Sequence, residues 1–180
     1  QISDRQQAAS ALQLAANAGR DRLILNSRHI AVYLPADGEI DPVPLAHYLC
    51  SLGKSLYLPV LVSFSNQRLW FSSWTPGDLL VLNRFGIPEP EIIHRSRSRT
   101  VGLDLVLTPL VSFDPRGNRL GMGGGFYDRT LAYLQHRRHW RKQVLAGLAH
   151  EIQKVDQLDR QNWDVPLDYI ITEKQRYMAK

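Results

Sequence analysis

Short apolar runs alternate with helix-like stretches along most of this chain, and that alternation limits what it can fold into. Ser3 and Gln6 have the spacing of a capping box, and an alanine- and leucine-rich stretch follows to about Ala18. A short helix to about Asn26 precedes the apolar run His29–Leu34. Asp41 and Pro42 read as a helix start and Gly53 as its end. Ser55–Leu58, Leu103–Leu107, Gln143–Ala149 and Asp168–Thr172 read as further strands, and Phe126 to about Trp140 as a helix. Arg68–Ser72 and Asp78–Leu82 are shorter strand candidates in a loop-rich middle. Strands that alternate with helices need crossover connections, which give a largely parallel sheet with both faces covered. The expected class is therefore α/β, with three layers, α/β/α, in a single domain over residues 1–180. We find no repeat and no interdomain linker.

In such folds ligands gather at the carboxyl ends of the strands. Three segments follow a predicted strand: the turn after Leu34, the loop after Phe113 and the stretch after Ala149. The second is the most unusual. Gly121, Gly123, Gly124 and Gly125 fall within five positions, after an apolar run and before a helical pattern. Glycine permits positive φ and close approach of backbone N–H groups to a ligand. A following helix start would add unpaired donors. With Arg116, Arg119 and Arg129 alongside, the loop could hold phosphate oxygens. Asp128 would repel a bare anion, but fits if Mg²⁺ lies between carboxylate and phosphate. The loop matches neither the P-loop, lacking Gly-Lys-Ser/Thr, nor the dinucleotide fingerprint, whose third glycine is replaced by Phe126. On residue types alone, a surface turn with basic neighbours remains the alternative.

Composition narrows the partners. The formal net charge of +5 favours an anionic one. Two basic clusters, His94–Arg99 and His136–Lys142, contribute to it. The first lacks the aromatic interleaving of a nucleic-acid surface, and the second reads as a solvated helix end, so no nucleic-acid partner is expected. No apolar run reaches membrane-spanning length and no secretory pattern is present. The single cysteine, Cys50, cannot form an internal disulfide and is expected to be buried and inert. These features fit a cytoplasmic protein without a membrane partner.

The stretch Asp104–Arg129 closely resembles the signature of the 5-formyltetrahydrofolate cyclo-ligases, also called methenyltetrahydrofolate synthetases, in their proteobacterial branch. Four further segments resemble the family in order. These are Tyr33–Ile40, Gly53-Lys54 with Tyr57-Leu58-Pro59, Asn83–Pro90 and Trp163–Thr172. The resemblance implies conversion of 5-formyltetrahydrofolate to 5,10-methenyltetrahydrofolate. ATP would be the co-substrate and Mg²⁺ the cofactor, with release of ADP and phosphate through a phosphorylated formyl group. It also implies a monomer acting on a folate that can be polyglutamylated. Family members open with a basic helical segment that contacts the ATP phosphates. That segment is missing from this sequence, in which Arg5 is the only arginine before Arg20. We expect it to precede Gln1.

Carried over by motif position, Arg119, Leu120, Gly121, Met122, Gly123, Gly124, Gly125, Phe126 and Tyr127 would line ATP. Leu34 and Glu39 would contact the folate, together with Met122 to Phe126. Asp128 and Asp164 would hold the metal, and Arg119, Tyr127 and Asp128 would form the reacting centre. Each has a plainer reading. Asp128 could serve the helix dipole, Asp164 a turn, Glu39 a helix cap, and Phe126 or Tyr127 the core. Trp70 and Phe71 read as core residues, and Glu89, between two prolines, as a weak substrate candidate. Residues 83–100 permit either a lid or a static rim.

Overall fold

The computed structural model describes residues 2–36, 38–61, 68–91, 102–136 and 143–179. Helix α1 (Asp4–Ala18) begins with the expected capping box: Gln6 N donates to Ser3 Oγ at 3.4 Å and Ser3 N donates to Gln6 Oε1 at 3.0 Å. Helix α2 (Arg22–Asn26) starts at Asp21, whose Oδ1 accepts from the N–H groups of Leu23 and Ile24. Strand β1 (His29–Ala31) follows. Helix α3 (Val43–Ser51) comes next, with Val43 N donating to Asp41 Oδ1 at 2.8 Å. Strands β2 (Ser55–Leu61) and β3 (Leu69–Trp74) run antiparallel. A small hairpin pairs β4 (Leu80–Leu82) with β5 (Pro88–Pro90). After β6 (Leu105–Thr108), a second hairpin pairs β7 (Ser112–Phe113) with β8 (Arg119–Leu120). Helix α4 (Phe126–Leu131) and strands β9 (Val144–Ala149), β10 (Tyr169–Thr172) and β11 (Arg176–Met178) complete the chain.

The main sheet has the order β11-β10-β9-β6-β1-β2-β3. Its five inner strands are parallel, and the antiparallel edges are β11 and β3. Side chains alternate across it, as strand geometry requires. Leu105, Leu107, Ala146, Leu148, Tyr169 and Ile171 face one core, closed by Leu14 and Ala18 of α1, Ile24 of α2, and Leu45 and Leu49 of α3. Val106, Leu145, Ala149 and Ile170 face the other, closed by Leu110, Phe113, Leu131, Val165 and Leu167. Burying each such aliphatic side chain contributes about 1.5–3 kcal/mol, which drives the layering. Phe71 is fully buried, as expected of a core residue, while Cys50 is only partly buried. No helix among the described residues is long and apolar enough to cross a membrane.

The second face differs from the expectation. The helix read from Phe126 to about Trp140 is α-helical only to Leu131 and tightens to a 3₁₀ turn over Ala132–His136. Residues 137–142 lie outside the described residues, as do 92–101, so the first basic cluster, all of the second but His136, and half of the middle loop 83–100 fall there. Much of this face is covered by the β7–β8 hairpin and the irregular chain between β9 and β10.

That hairpin turns at Asp114-Pro115-Arg116-Gly117-Asn118. Gly117 has φ +88° and its N–H donates to Asp114 O. A Cβ there would lie 2.5 Å from the carbonyl oxygen of Leu167, so glycine is required. Asp114 is fully buried and accepts from Arg116 N, Asn118 N, Asn118 Nδ2 and Leu158 N at 2.8–3.1 Å. Burial alone would raise its carboxyl, but the hydrogen bonds from the Asn118 side chain and the three backbone N–H groups outweigh that and hold it below the ordinary carboxylate range. A depressed folded-state value stabilises the fold above the unfolded value and loses that contribution as pH falls through the folded one. Asp114→Asn is expected to cost about 1–3 kcal/mol at neutral pH. It should also remove part of the stability loss seen below about pH 4. Urea unfolding of both proteins from neutral to acidic pH measures this; parallel pH profiles would count against it.

Candidate active site

Strand β8 leads directly into the glycine loop, so the hairpin aims it. Of its four glycines, Gly123 at φ +83° and Gly125 at φ +58° adopt the left-handed conformation that disfavours other residues. Leu120 and Gly121 to Gly124 are exposed, and Met122 is 61% exposed. The loop therefore presents its backbone to solvent. Gly124 is restricted differently: a Cβ would stand 2.9 Å from the Phe126 ring. Phe126 meets Phe85 of the β4–β5 hairpin edge to face, with centroids 6.1 Å apart, and lies under the Arg129 guanidinium at 5.4 Å. Arg129 also donates to the carbonyl of Gly124. An arginine thus braces the loop from behind.

Arg119, at the start of β8, lies beside this loop. Its side chain is only 6% exposed. Nη1 donates to the Val165 carbonyl at 2.6 Å, and Nη2 to Asp128 Oδ1 at 2.7 Å. Val165 N donates to the same Oδ1 at 3.1 Å. Arg119, Asp128 and Val165 therefore close a ring that ties α4 to the segment carrying Asp164. Asp164 Oδ2 accepts from Gln161 N at 2.8 Å, and its carbonyl accepts from Gln135 Nε2 at 3.0 Å. The structure thus brings the neighbourhoods of Asp128 and Asp164 together.

The turn after β1 faces the same centre. Tyr33 donates to the Ile40 carbonyl at 2.9 Å, and Glu39 Oε2 accepts from Ala36 N at 2.9 Å. Glu39 is buried, and its carbonyl accepts from Gln7 Nε2 of α1. At the start of α3, Val43 N donates to Asp41 Oδ1, so the plain reading of Glu39 as a helix cap gives way to a turn-stabilising role. Leu34 is partly buried against the first core. Burial and then the Glu39 carboxylate push the Tyr127 hydroxyl well above its ordinary range, with Arg119 opposing. Burial, Glu39, Tyr127 and Asp41 in turn raise Tyr33. These mutual influences join the turn after β1 to the start of α4. At neutral pH Tyr127 is protonated and can donate a hydrogen bond, but it cannot serve as a base.

Two residues had no signal in the sequence. Val165 acts through its peptide group, and Gln7 braces Glu39 from α1; neither role leaves a side-chain signature. Glu89 proves to be a brace: Oε1 accepts from Leu61 N at 2.8 Å and from Asn83 Nδ2 at 2.7 Å, fixing the β4–β5 hairpin to β2. Trp70 is partly buried in β3. Among the described residues no group of three or more His, Cys, Asp or Glu side chains gathers as a metal site.

The loop geometry carries its own test. Gly123→Ala meets open space and should cost about 1 kcal/mol from backbone strain alone. Gly125→Ala should cost more, because its Cβ would stand 2.7 Å from Arg129 Nη1 and push that side chain off the Gly124 carbonyl it donates to. Chemical denaturation ranks the two; the reverse order would be inconsistent with the loop described.

Comparison with known proteins adds the following. The model of the 5-formyltetrahydrofolate cyclo-ligase family matches residues 1–173. The 5-formyltetrahydrofolate cyclo-ligase of Escherichia coli K12 is 44% identical over 149 residues, covering 83% of this chain and 80% of that protein. The Haemophilus influenzae enzyme of the same name is 43% identical over 141 residues, covering 78% and 73%. The NMR structure of Aquifex aeolicus 5,10-methenyltetrahydrofolate synthetase superposes with a TM-score of 0.81 at 29% identity, over 99% of this chain and 86% of that one. A Mycoplasma pneumoniae 5,10-methenyltetrahydrofolate synthetase, at 23% identity and a TM-score of 0.69, shares the fold.

Proposed function

This chain belongs to the 5-formyltetrahydrofolate cyclo-ligase family, and from that premise we propose how its residues convert 5-formyltetrahydrofolate to 5,10-methenyltetrahydrofolate with cleavage of ATP. The observation that carries the assignment of residues is the convergence of the turn after β1 and the glycine loop on one cluster, Tyr33, Glu39, Tyr127, Arg119 and Asp128. A reaction between two substrates needs two such surfaces facing each other.

The chemistry is demanding at one point. The formyl oxygen on N5 is amide-like and leaves poorly. Transfer of the γ-phosphoryl group to that oxygen releases ADP and leaves a cationic carbon bearing phosphate. N10 then attacks that carbon and releases its proton to phosphate or water, the C–O bond breaks, phosphate departs, and the cationic methenyl bridge remains. Such a path needs in-line positioning and stabilisation of charge more than acid–base groups. The site agrees with this, since Tyr127 is held protonated.

The backbone N–H groups from Leu120 to Tyr127 are suited to the phosphates, with Met122 to Phe126 also bordering the folate. Leu34 and Glu39 line the folate side, where the carboxylate can accept from the N–H groups of a pterin. Asp128 and Asp164 are the residues that would hold Mg²⁺. The donor set fits that ion, which takes one or two carboxylates and keeps water and phosphate oxygens as its other ligands. Bound there, it would neutralise phosphate charge and orient the nucleotide. Asp128 Oδ1 is already engaged, and no described residue donates to Oδ2.

The wild-type protein mixed with 5-formyltetrahydrofolate, ATP and Mg²⁺ should develop the near-ultraviolet band of the methenyl product. Asp128→Ala should lower the rate about 100-fold or more. Glu39→Gln should raise KM for the folate while leaving that for MgATP within about twofold. A folded protein that binds ATP yet yields no band would sink the proposal.

A further inference from the structure

We propose that Asn83, Glu89 and Thr130 are positioning residues that hold Phe85 and Phe126 against each other and, through Phe126, fix the glycine loop. The inference rests on the functional reading above, in which that loop borders both substrates, and deepens it. The β4–β5 hairpin has little apolar packing to keep it in place. Leu80, Val81 and Leu82 are exposed along the whole of β4, and Phe85 at the tip is 55% exposed. A two-stranded hairpin of this kind is marginal by itself. Its position therefore depends on polar anchors.

Those anchors start from one rung of the main sheet. Leu61 and Leu69 stand opposite each other at the end of the β2–β3 ladder. Leu61 N donates to Glu89 Oε1 at 2.8 Å, and Leu69 N donates to Thr130 Oγ1 at 2.7 Å. On the hairpin branch, the same Glu89 oxygen accepts from Asn83 Nδ2 at 2.7 Å. Asn83 Oδ1 in turn accepts from Phe85 N at 2.8 Å and from Ile87 N at 3.1 Å. On the helix branch, the Thr130 hydroxyl donates to the Phe126 carbonyl at 2.6 Å. The branches meet where the Phe85 and Phe126 rings touch, which closes a circuit. The glycine loop packs on this junction, since a Cβ on Gly124 would stand 2.9 Å from the Phe126 ring. Hairpin tip, helix start and loop thus take their places from a single rung. In-line phosphoryl transfer is sensitive to such placement: a displacement of about 1 Å can cost about 100-fold in rate.

Amide ¹⁵N relaxation on the ligand-free protein reads the order of the loop directly. Wild type should give order parameters of about 0.8 or above over Gly121–Gly125. Glu89→Ala and Thr130→Val, which cut the two branches, should each lower them below about 0.6. Thr130→Ser, which keeps the hydroxyl, should match wild type. In the methenyl assay, kcat/KM for 5-formyltetrahydrofolate should fall about 10-fold or more in both cut variants. Unchanged amides in β6 and β9 check the fold, and Asn83→Ala cuts the hairpin branch at a second point if Glu89→Ala does not fold. A loop already below about 0.6 in wild type would overturn the proposal. So would a loop that keeps its order while only residues 79–91 loosen, or a loosened loop with unchanged kcat/KM. Equal losses in Thr130→Ser and Thr130→Val would overturn the role of the hydroxyl. Wild-type protein that forms no methenyl product would remove the functional reading, whereas the relaxation data would still decide whether the circuit holds the loop.

Discussion

A parallel sheet must be covered on both faces, and in this protein one of those covers is largely irregular chain. Helices satisfy their own backbone groups; an irregular segment cannot. Residues 154–168 run over the face built from Val106, Leu145 and Ile170, and their peptide groups need partners from elsewhere. Charged side chains supply three of them: Asp114 takes Leu158 N, Arg119 takes Val165 O, and Asp128 takes Val165 N. The buried charges of this face are thus first of all a solution to backbone accounting. The site is assembled from the same groups, which explains why its polar residues are so fully engaged.

The parallel core was legible because its strands are buried on both faces and read as continuous apolar runs, Leu103–Leu107 being the clearest. Helix starts were legible where a side chain caps them, as at Ser3. Three kinds of element were not. Strand β5 is Pro-Glu-Pro, a composition that argues against a strand. It persists because it pairs only with β4 and because Glu89 anchors it to β2. The β7–β8 hairpin has two residues per strand and is set by the Asp114 turn, so it carries no periodicity. The chain after Leu131 tightens where an amphipathic pattern continues, and local pattern does not report that.

The site divides in the same way. Glycine clustering marked the loop, but not which glycines require positive φ; Gly123 and Gly125 do, while Gly124 is confined by Phe126. Asp128 was singled out by its place beside that loop, whereas Asp164, Leu34 and Glu39 entered through family resemblance. The partner of Arg119 could not have been read at all, because half of it is the peptide of Val165, 46 residues away. Tertiary contacts with backbone leave no compositional trace, and a role inferred from side-chain type alone will miss them.

Charge balance shows why this matters for the chemistry. Near the glycine loop, Arg119 faces Asp128, and Arg129 is turned toward the Gly124 carbonyl and the Phe126 ring. Glu39 adds a buried carboxylate whose influence reaches Tyr127. With its positive charge directed inward, this part of the site presents a nucleotide with backbone N–H groups and carboxylates. Backbone donors orient phosphates, but carboxylates repel them unless a divalent cation intervenes. Under the proposed function, a divalent cation would therefore be the condition for the nucleotide to approach. The ring of Arg119, Asp128 and Val165 would then set the orientation of the carboxylate that such a cation meets.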